Sequence, residues 1–584
     1  MAGEYTHPVG ITKGPGETIH EYTFISRDEQ RLLKNGEYVY YELEAPTPSP
    51  SPVRGRGEAD ETRPKRVLGR IQHRVPVQLY PDTFLSEPEV APSQVAALVG
   101  YDQRASDLFE LHVAIMGYYD SALGTFVNPW IPPSSGTPIY LADDALLAGV
   151  LSRKQSGANG SATIGSLLTR GEGHVPVVLD VKELVSTHLA IIASTGAGKS
   201  YLASVVIEEL MRPTNRAAVL IIDPHGEYST LQEIANHREF EEQSGAADGH
   251  SPRRRQRYQA RARVYLHDQV KVRLNTLSLA DLRYLLPGMT DKQHHYLGQA
   301  YDKLTKEKKG GVWSAEELKK AVIEVGQYKN DESGDDSGNS TVAALSWKIE
   351  ERLGRNNFVF DESTHLGLRE ILQPGKCTVL QVDEVDERDQ QVIVATLLRR
   401  IYRARMETER HKVQDGDEKY LPYPVFILIE EAHHFAPHDG DSISKGILKQ
   451  ALAEGRKFGM GIGLISQRPG KLDADVLSQC LTQCIMRIVN EVDQKSVATA
   501  VEGVGRDLLD NLPALSKGQA IVAGSAINTP VICRVRQRIT PHGGESKDAP
   551  AEWLGYYGDE AQETRARDAA PLQRDNAPIS IFKH

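Results

Sequence analysis

A short run of small residues, Ala193-Ser-Thr-Gly-Ala-Gly-Lys199-Ser200, constrains the fold of this chain more than any other feature. It follows an apolar segment, His188 to Ala193, and precedes a segment with apolar residues at 202, 205, 206 and 210 that ends before Pro213. A strand, a glycine-containing loop and a helix in this order are typical of a phosphate-binding loop, because the glycines let backbone N–H groups turn toward phosphate oxygens. The sequence therefore predicts an ATP-binding loop.

Each residue of this loop has an expected role. Lys199 should neutralise the β- and γ-phosphate oxygens, and Ser200 should hold Mg²⁺, so the predicted cofactors are ATP and Mg²⁺. Ala193 stands where the usual pattern has its first glycine. The predicted nucleotide-binding residues are Ser194, Thr195, Gly196, Ala197, Gly198, Lys199, Ser200 and Tyr201.

The chain after about residue 166 alternates continuous apolar runs with helical segments. Continuous runs indicate strands covered on both faces, and hence a largely parallel sheet flanked by helices, so the predicted fold class is α/β. The predicted strands are His188 to Ala193, Ala217 to Ile222, Cys377 to Val382, Val425 to Ile429, Gly461 to Ile465 and Cys484 to Val489.

The remaining regions complete a five-part division. Residues 1–165 contain short β-rich stretches and predict a β-barrel-like domain, with an exposed loop at Pro46 to Glu61. The core is split into 166–239 and 376–540 by an insertion at 240–375, which is too long for a loop. The last part, 541–584, is predicted to be a polar tail.

The insertion is predicted to be a helical bundle. Helical periodicity is present at Leu279 to Leu286, Asp291 to Leu304, Ser314 to Val325 and Ser340 to Leu353. Two polar segments, Glu241 to Arg263 and Asn330 to Asn339, are predicted to be disordered. The first contains an arginine run at 253–257, for which a solvated loop is preferred to a DNA or partner contact.

Composition excludes some classes of protein and leaves others open. The net charge of −11 argues against a protein coated with positive charge but allows nucleic acid in a confined basic channel. No apolar run approaches the ~18 residues of a membrane span. Four cysteines and an N-terminus without a signal-peptide pattern favour the cytoplasm.

Two strand ends supply further candidate residues. The strand Val425 to Ile429 runs into Glu430, predicted to reach the Mg²⁺ shell, and Glu431, predicted to deprotonate the attacking water. Because glutamate is longer than the usual aspartate, we expect Glu430 to act through water or from a shifted backbone. Gln467 follows the next strand and is expected to sense the γ-phosphate, with a purely structural role as the alternative.

Metal coordination is not predicted for the nearby histidines or cysteines. Glu430 and His433 have the spacing of carboxylate-bridged metal sites, but a second matching pair is missing. The preferred interpretation is that His433 couples the catalytic acid to DNA-facing loops. Cys480 and Cys484 lack two further ligands and are predicted to be core thiols.

Together these motifs resemble the HerA translocases, hexameric ATPases related to the FtsK pumps, over most of residues 1–540. The resemblance rests on His188 and the phosphate loop, Asp223-Pro-His225-Gly-Glu227-Tyr228, Ile429-Glu-Glu-Ala-His433, Glu454-Gly-Arg456-Lys-Phe-Gly459 and Ser466-Gln-Arg-Pro469. The order of barrel, core, inserted bundle and returning core also looks like theirs. The fold it implies is a RecA-like core.

The resemblance implies a site shared between subunits of a homohexamer. Asp223 and His225 are carried over as catalytic residues, although a strand-end Asp-Pro could also form a simple turn. Arg456 is expected to reach the γ-phosphate of the neighbouring subunit, the alternative being an arginine that complements a helix dipole. Some relatives carry a basic residue where this chain has Thr187, so a second trans-acting cation is in doubt.

The function implied is ATP-driven translocation of double-stranded DNA with a partner, either a NurA-like nuclease or an antiphage effector. The barrel is the expected docking platform. Candidate DNA contacts are the loop Phe435 to Lys445 and the turn Arg468 to Lys471. The rivals are an ATPase scaffold that assembles a defence effector, with DNA movement secondary, and a protein-remodelling ATPase.

Overall fold

The structure is a computed structural model that describes residues 7–14, 18–43, 64–77, 108–242, 258–333, 337–354, 357–501, 504–543, 549–550 and 552–554. Two compact units divide the chain, Met1–Pro541 and His542–His584. Most of the predicted tail, 541–584, and all of the predicted loop Pro46 to Glu61 lie outside the described residues. Within the described ranges, no helix combines the length and the apolar character needed to cross a membrane.

The N-terminal strands form a closed barrel, as predicted. Six strands, β1–β5 and β7, close because β2 pairs with both β1 and β5, and β6 extends the sheet beyond β5. Alternation along β2 turns Tyr22 and Phe24 into the barrel core. The strands are β1 Gly10–Thr12, β2 Glu21–Ser26, β3 Tyr38–Leu43, β4 Lys65–Pro76, β5 Phe109–Asp120, β6 Thr125–Val127 and β7 Pro138–Leu141.

The catalytic core is built on an eleven-stranded sheet of order β12-β15-β11-β16-β17-β10-β18-β19-β20-β8-β9. The strands from β12 to β18 in that order are parallel, and the last four add antiparallel pairs. Their bounds are β8 Ser161–Leu167, β9 Pro176–Asp180, β10 Leu189–Ile192, β11 Ala218–Asp223, β12 Arg261–Tyr265, β15 Lys376–Gln381, β16 Val425–Ile429, β17 Met460–Ser466, β18 Thr482–Met486, β19 Gln519–Gly524 and β20 Val531–Val535.

The prediction of a largely parallel, doubly covered sheet is confirmed. Every residue of β10, β11 and β16 is buried, as expected for strands with helices on both faces. The predicted strand Cys484 to Val489 is displaced, since β18 begins at Thr482 and ends at Met486. Strand β8 spans the boundary placed between residues 165 and 166 and belongs to the core sheet.

The helices divide between the two faces of this sheet and the insertion. They are α1 Asp144–Val150, α2 Val181–Thr187, α3 Lys199–Met211, α4 Leu279–Leu285, α5 Asp291–Lys308, α6 Ala315–Ser333, α7 Ser337–Leu353, α8 Leu368–Ile371, α9 Glu387–Glu409, α10 Ala432–Phe435, α11 Ile443–Glu454, α12 Ala474–Ser478, α13 Glu491–Ala500 and α14 Arg506–Leu509. Helix α3, which follows the phosphate loop, is buried along most of its length.

Helices α4 to α7 match the helical periodicity of the insertion. Capping boxes at Ser278 and Thr290 begin α4 and α5, so the local sequence specifies where these helices start. Their apolar faces join the same buried cluster as the core strands. The segments predicted to be disordered fall partly outside the described residues. In the first segment, Glu241 to Arg263, the described residues Arg261 to Arg263 lie in β12. In the second, Asn330 to Asn339, the described residues lie in α6 and α7, and residues 334–336 are outside the described ranges.

A short parallel pair, β13 Val272–Arg273 and β14 Phe360–Asp361, joins the two ends of the insertion. Cys480 and Cys484 are both buried in the hydrophobic core, as predicted, together with Cys377 and Cys533.

Candidate nucleotide site

The phosphate loop connects the carboxyl end of β10 to the first turn of α3. Gly196 and Gly198 have φ values of +78° and +106°, which non-glycine residues rarely adopt. Gly198 precedes α3 without a side-chain cap, so the first N–H groups of the helix face the loop. Ala193 is absent from the positive-φ residues of the described chain, which explains why alanine is tolerated at this place in the pattern.

Lys199 is surrounded by three carboxylates. Its ammonium group bonds Glu430 Oε1 and lies 3.3 Å from Glu431 Oε1 and 3.9 Å from Glu227 Oε2. Burial alone would lower the pKa of Lys199, but the three glutamates, led by Glu430, raise it to about 12. The lysine is therefore fully charged and held at the mouth of the loop.

Glu430 is completely buried, and both of its carboxylate oxygens have partners. Oε1 accepts from Lys199 and Oε2 accepts from the hydroxyl of Tyr228. Burial raises the pKa of Glu430 to about 7, although Lys199 and Tyr228 favour its charged form. Any contact of Glu430 with a metal through water must compete with these bonds.

Glu227 contacts the predicted Mg²⁺ ligand. The hydroxyl of Ser200 donates to Glu227 Oε2, which places a hydroxyl and a carboxylate oxygen side by side. The sequence pattern contained Glu227 in the Asp-Pro-His-Gly-Glu-Tyr string, but no role was predicted for it. This sequence motif could have identified Glu227, because an acidic residue that follows a strand beside a phosphate loop is a candidate metal ligand.

Asp223 organises the loop that carries Glu227. Its carboxylate accepts backbone N–H bonds from His225 and Glu227, each at 3.2 Å, and from Tyr228 at 3.1 Å. Burial raises the pKa of Asp223, and these backbone bonds oppose the rise. The described hydrogen bonds of the Asp223 carboxylate thus lie within its own loop. His225 is 49% exposed at its side chain, with Nε2 3.9 Å from Glu431 Oε1.

Glu431 and Gln467 are brought together beside the loop. Gln467 Nε2 donates to Glu431 Oε1 at 2.5 Å, and Gln467 Oε1 accepts from the Thr195 hydroxyl at 2.8 Å. One amide therefore connects the phosphate loop to the predicted base. The other oxygen of Glu431, Oε2, is buried and has no hydrogen-bond partner within the described chain.

His433 connects Glu431 to the end of β17. Its Nδ1 lies 3.3 Å from Glu431 Oε2 and 3.3 Å from the hydroxyl of Ser466. That hydroxyl also accepts the backbone N–H of Arg468 at 3.2 Å. Burial, followed by the neighbouring His434, lowers the pKa of His433 to about 4, so the imidazole is neutral at physiological pH.

The two predicted DNA loops contact each other at this edge. Pro437 and Leu472 form an isolated antiparallel bridge, and the His438 N–H donates to the Lys471 carbonyl at 2.7 Å. Lys445 is held by Asp473 at 2.9 Å. Arg468 and Lys471 are exposed, and neither forms an ion pair with the described residues.

Arg456 lies at the amino-terminal ends of the parallel strands, and the phosphate loop lies at their carboxyl ends. It precedes β17, whereas the phosphate loop follows β10, and these strands are parallel with Ile192 paired to Ser466. The seven residues of β17 span about 20 Å, more than an arginine side chain can bridge. Arg456 is exposed and has no ion pair with the described residues, so the structure does not bring it into the nucleotide site of this chain.

His188 ties the phosphate strand to the segment that carries Arg456. It is buried with a φ of +63°, its Nε2 lies 2.8 Å from the Leu452 carbonyl, and its Nδ1 accepts from the Ile462 N–H at 3.1 Å. Burial lowers the pKa of His188, and nearby Arg456 lowers it further. The ring is therefore a neutral bridge between β10, α11 and β17.

The remaining loop residues are held by backbone contacts. The Ser194 N–H donates to the Arg487 carbonyl at 2.9 Å, and the Ala197 carbonyl accepts from the Gly518 N–H at 3.2 Å. The Tyr201 hydroxyl accepts from the Arg538 N–H at 2.8 Å. Contacts with the residues after β18, before β19 and after β20 thus hold the loop and the start of α3 in place.

A glycine loop on a parallel sheet, with a lysine, a hydroxyl and two strand-end glutamates converging on it, defines a P-loop ATPase. A family profile described as "Helicase HerA, central domain" matches residues 162–401. The chain is 31% identical over 439 residues to the "DNA double-strand break repair helicase HerA" of Pyrococcus furiosus, covering 69% of this chain and 74% of that protein. The chain therefore belongs to the HerA family, and the resemblance predicted from its motifs is confirmed.

Other similarities extend over comparable lengths. The HerA helicase of Sulfolobus acidocaldarius is 29% identical over 434 residues, 74% of this chain and 79% of that protein. Among solved structures, VirB4 of Thermoanaerobacter pseudethanolicus is 16% identical with a TM-score of 0.46, covering 66% of this chain and 98% of that chain.

Proposed function

We propose that this ATPase drives movement along double-stranded DNA as a homohexameric ring. The observation that carries the proposal is the chain of contacts from Glu431 through His433 and Ser466 to Arg468. It joins the predicted base to a turn with two exposed cations, Arg468 and Lys471. Such cations suit DNA phosphates, so hydrolysis and DNA contact would be mechanically linked.

In the proposed chemistry, Glu431 accepts a proton from the attacking water. Its buried Oε2, which lies 3.3 Å from His433 Nδ1 and accepts no hydrogen bond from the described residues, is suited to this role, and Gln467 holds Oε1 while contacting the phosphate loop. Lys199 binds the β- and γ-phosphate oxygens. Asp223 acts as a positioning residue that shapes the loop bearing Glu227, and half-exposed His225 lines the entrance near the base.

The oxygen donors beside the loop suit Mg²⁺, a hard cation that prefers oxygen ligands. Ser200 and Glu227, already in contact, would hold it, and Glu430 would contribute through water. When bound, Mg²⁺ neutralises charge on the transferred phosphate. This arrangement gives Glu227 part of the role first predicted for Glu430.

Arg456 is proposed to act on the site of the neighbouring subunit. Its position across the sheet from its own loop supports this, because only a second subunit could bring it to the γ-phosphate. A mixture of Arg456→Ala and Glu431→Gln subunits should then be more active than either variant alone, since some interfaces keep both groups. Absence of rescue in rings shown to contain both subunits would argue against the shared site.

The partner is proposed to be a nuclease or an antiphage effector docked on the barrel. The barrel is fixed to the core by Arg70, which lies 2.6 Å from Asp507 and also donates to the Pro530 carbonyl. A rigid junction of this kind would transmit force from the ring to a bound partner. Co-purification of a partner that is lost on deletion of the barrel, while the ATPase is retained, would support this docking.

The function is tested by ATP hydrolysis with and without duplex DNA. Wild type should be stimulated by duplex, and Glu431→Gln should lose hydrolysis while retaining nucleotide binding. An Arg468→Ala, Lys471→Ala double variant should keep basal hydrolysis but lose the stimulation, with Lys457→Ala, an exposed lysine at the far edge of the sheet, as the control. Hydrolysis indifferent to DNA would contradict the proposal, and effector activity that survives Lys199→Ala would favour a scaffold.

A further inference from the structure

A buried acid on the phosphate-loop helix binds a segment more than 300 residues away. Glu208 is fully buried on α3, and it accepts from Arg536 Nη1 at 2.9 Å, from the Thr540 N–H at 2.9 Å and from the Ile539 N–H at 3.0 Å. Glu209, next to it, accepts from Arg536 Nη2 at 2.8 Å. We call residues 536–540, which follow β20, the strap.

The strap reaches the first turn of α3 through Arg538. The Arg538 N–H donates to the Tyr201 hydroxyl at 2.8 Å, and its guanidinium lies 5.9 Å from the Tyr201 ring centroid. Arg538 Nη2 also donates to Thr230 at 3.2 Å, and only 3% of the side chain is exposed. An arginine and an aromatic ring are therefore held next to Ser200.

The sheet order fixes the direction in which a nucleotide must extend. Glu431 and Gln467 mark the expected position of the γ-phosphate. They follow β16 and β17, and these two strands lie to one side of β10. The nucleoside must leave the loop in another direction, past the first turn of α3. On the far side of β10 lie β18, β19 and β20. The N–H of Gly518, just before β19, donates to the carbonyl of Ala197 in the loop. The strap leaves the sheet from this side.

We propose that the strap forms the nucleoside wall of the ATP site, with the part-exposed Tyr201 ring stacking on the base and the buried Arg538 holding that ring in place. An aromatic ring offers a flat face on which a purine stacks, and the buried Arg538 guanidinium lies 5.9 Å from the centroid of this ring. Glu208 is a positioning residue, since its carboxylate fixes the strap against α3. The inference rests on the ATPase site described above; it gives Tyr201 a contact to the nucleoside and adds the strap, which lies outside the phosphate-loop motif.

The test compares the affinity of the full-length protein for ADP and for inorganic tripolyphosphate by calorimetry without DNA. Arg538→Ala should weaken ADP binding about tenfold, or ~1.4 kcal/mol, and leave tripolyphosphate binding unchanged, because only ADP has a nucleoside. Arg534→Ala, an exposed arginine on β20, is the matched control and should change neither affinity. Glu208→Gln should likewise weaken ADP binding and leave tripolyphosphate binding unchanged.

Equal losses for both ligands, or no loss for either, would overturn the nucleoside wall. Lys199→Ala separates this result from failure of the phosphate site, since it should weaken both ligands. Photocrosslinking of the wild-type protein with 8-azido-ATP provides a test that requires no variant. Label on the peptides containing Tyr201 or residues 536–540 supports the proposal, and label confined to other peptides contradicts it.

Discussion

Glu431 stands at the end of a buried strand in a left-handed conformation, with a φ of +48°. This conformation costs a residue other than glycine about 1–2 kcal/mol, so it persists only where surrounding contacts enforce it. The contacts here are Gln467 on one carboxylate oxygen and His433 near the other. These neighbours therefore determine the geometry of Glu431, the proposed base.

Replacing Gln467 by alanine should release Glu431, the proposed base, and remove the bond to Thr195, while the backbone bonds of the phosphate loop remain. We expect kcat to fall roughly 10- to 100-fold, as for other small misplacements of a catalytic group, with KM for ATP changing much less. Steady-state hydrolysis measures both, and Gln414→Ala, an exposed glutamine beyond α9, serves as the control. A change confined to KM would show that Gln467 binds nucleotide without positioning Glu431.

Glu430 should make stability depend on pH in the nucleotide-free protein. Its pKa rises from 4.5 to about 7 on folding, so the native state holds the proton more tightly than the unfolded chain. The stabilisation is present below pH 4.5 and is lost as the pH rises through 7, by up to about 3 kcal/mol. Glu430→Gln should lack this component, as measured by denaturant unfolding at several pH values. An identical pH slope in both proteins would contradict the raised pKa.

The local motifs could be predicted because each lies within a few residues of a strand end. The loop, Glu430, Glu431 and Gln467 all follow buried strands, and parallel strands bring their carboxyl ends to one edge. The bonds that Ser200 donates to Glu227 and Tyr228 donates to Glu430 could not be predicted, because they depend on where β10, β11 and β16 lie in the sheet. The sequence order of strands does not contain that information.

At the level of elements, the barrel and the core are joined by buried ion pairs. Glu37, at the start of β3, is bonded by Arg170, which follows β8, at 2.9 Å. Only 3% of the Glu37 side chain and 10% of the Arg170 side chain are exposed. Removing Arg170 would leave the buried Glu37 carboxylate without a compensating charge, and an unpaired buried charge destabilises the folded state.

Arg170→Ala should therefore reduce the free energy of unfolding by about 3–5 kcal/mol. The matched control is Arg66→Ala, whose partner Glu42 is 3.7 Å away with the side chains 42% and 41% exposed. That variant should stay within about 0.5 kcal/mol of wild type. Denaturant unfolding measures both, and equal effects would mean that burial does not distinguish the two pairs.

The elements found from sequence are those with strong local signals. Helices α4 and α5 have capping boxes and an apolar stripe, and the strands of the parallel core are continuous apolar runs. Strands β12, β19 and β20 were missed. β12 is an edge strand with exposed Arg261 and Arg263, so it lacks an apolar run. β19 and β20 are defined by pairing, β19 with β18 and β20 with β19 and β8, rather than by periodicity.

At the scale of the whole molecule, the proposed ring requires each subunit to contribute to two sites. The loop, Glu431 and Gln467 lie at one edge of the sheet, and Arg456 lies at the other. A ring that passes ATP hydrolysis from subunit to subunit would use both edges at once. The cations on the turn after β17 lie at the same edge as the base, which is where coupling to DNA is proposed.

The central claim is tested most directly by displacement of a triplex-forming strand from duplex DNA. Wild-type protein with ATP should displace the third strand with a delay that grows with the length of duplex it must travel. Glu431→Gln, and wild type with a non-hydrolysable ATP analogue, should bind the duplex without displacing the strand. Displacement that is independent of hydrolysis, or no displacement by wild type that hydrolyses ATP on the same DNA, would contradict ATP-driven translocation.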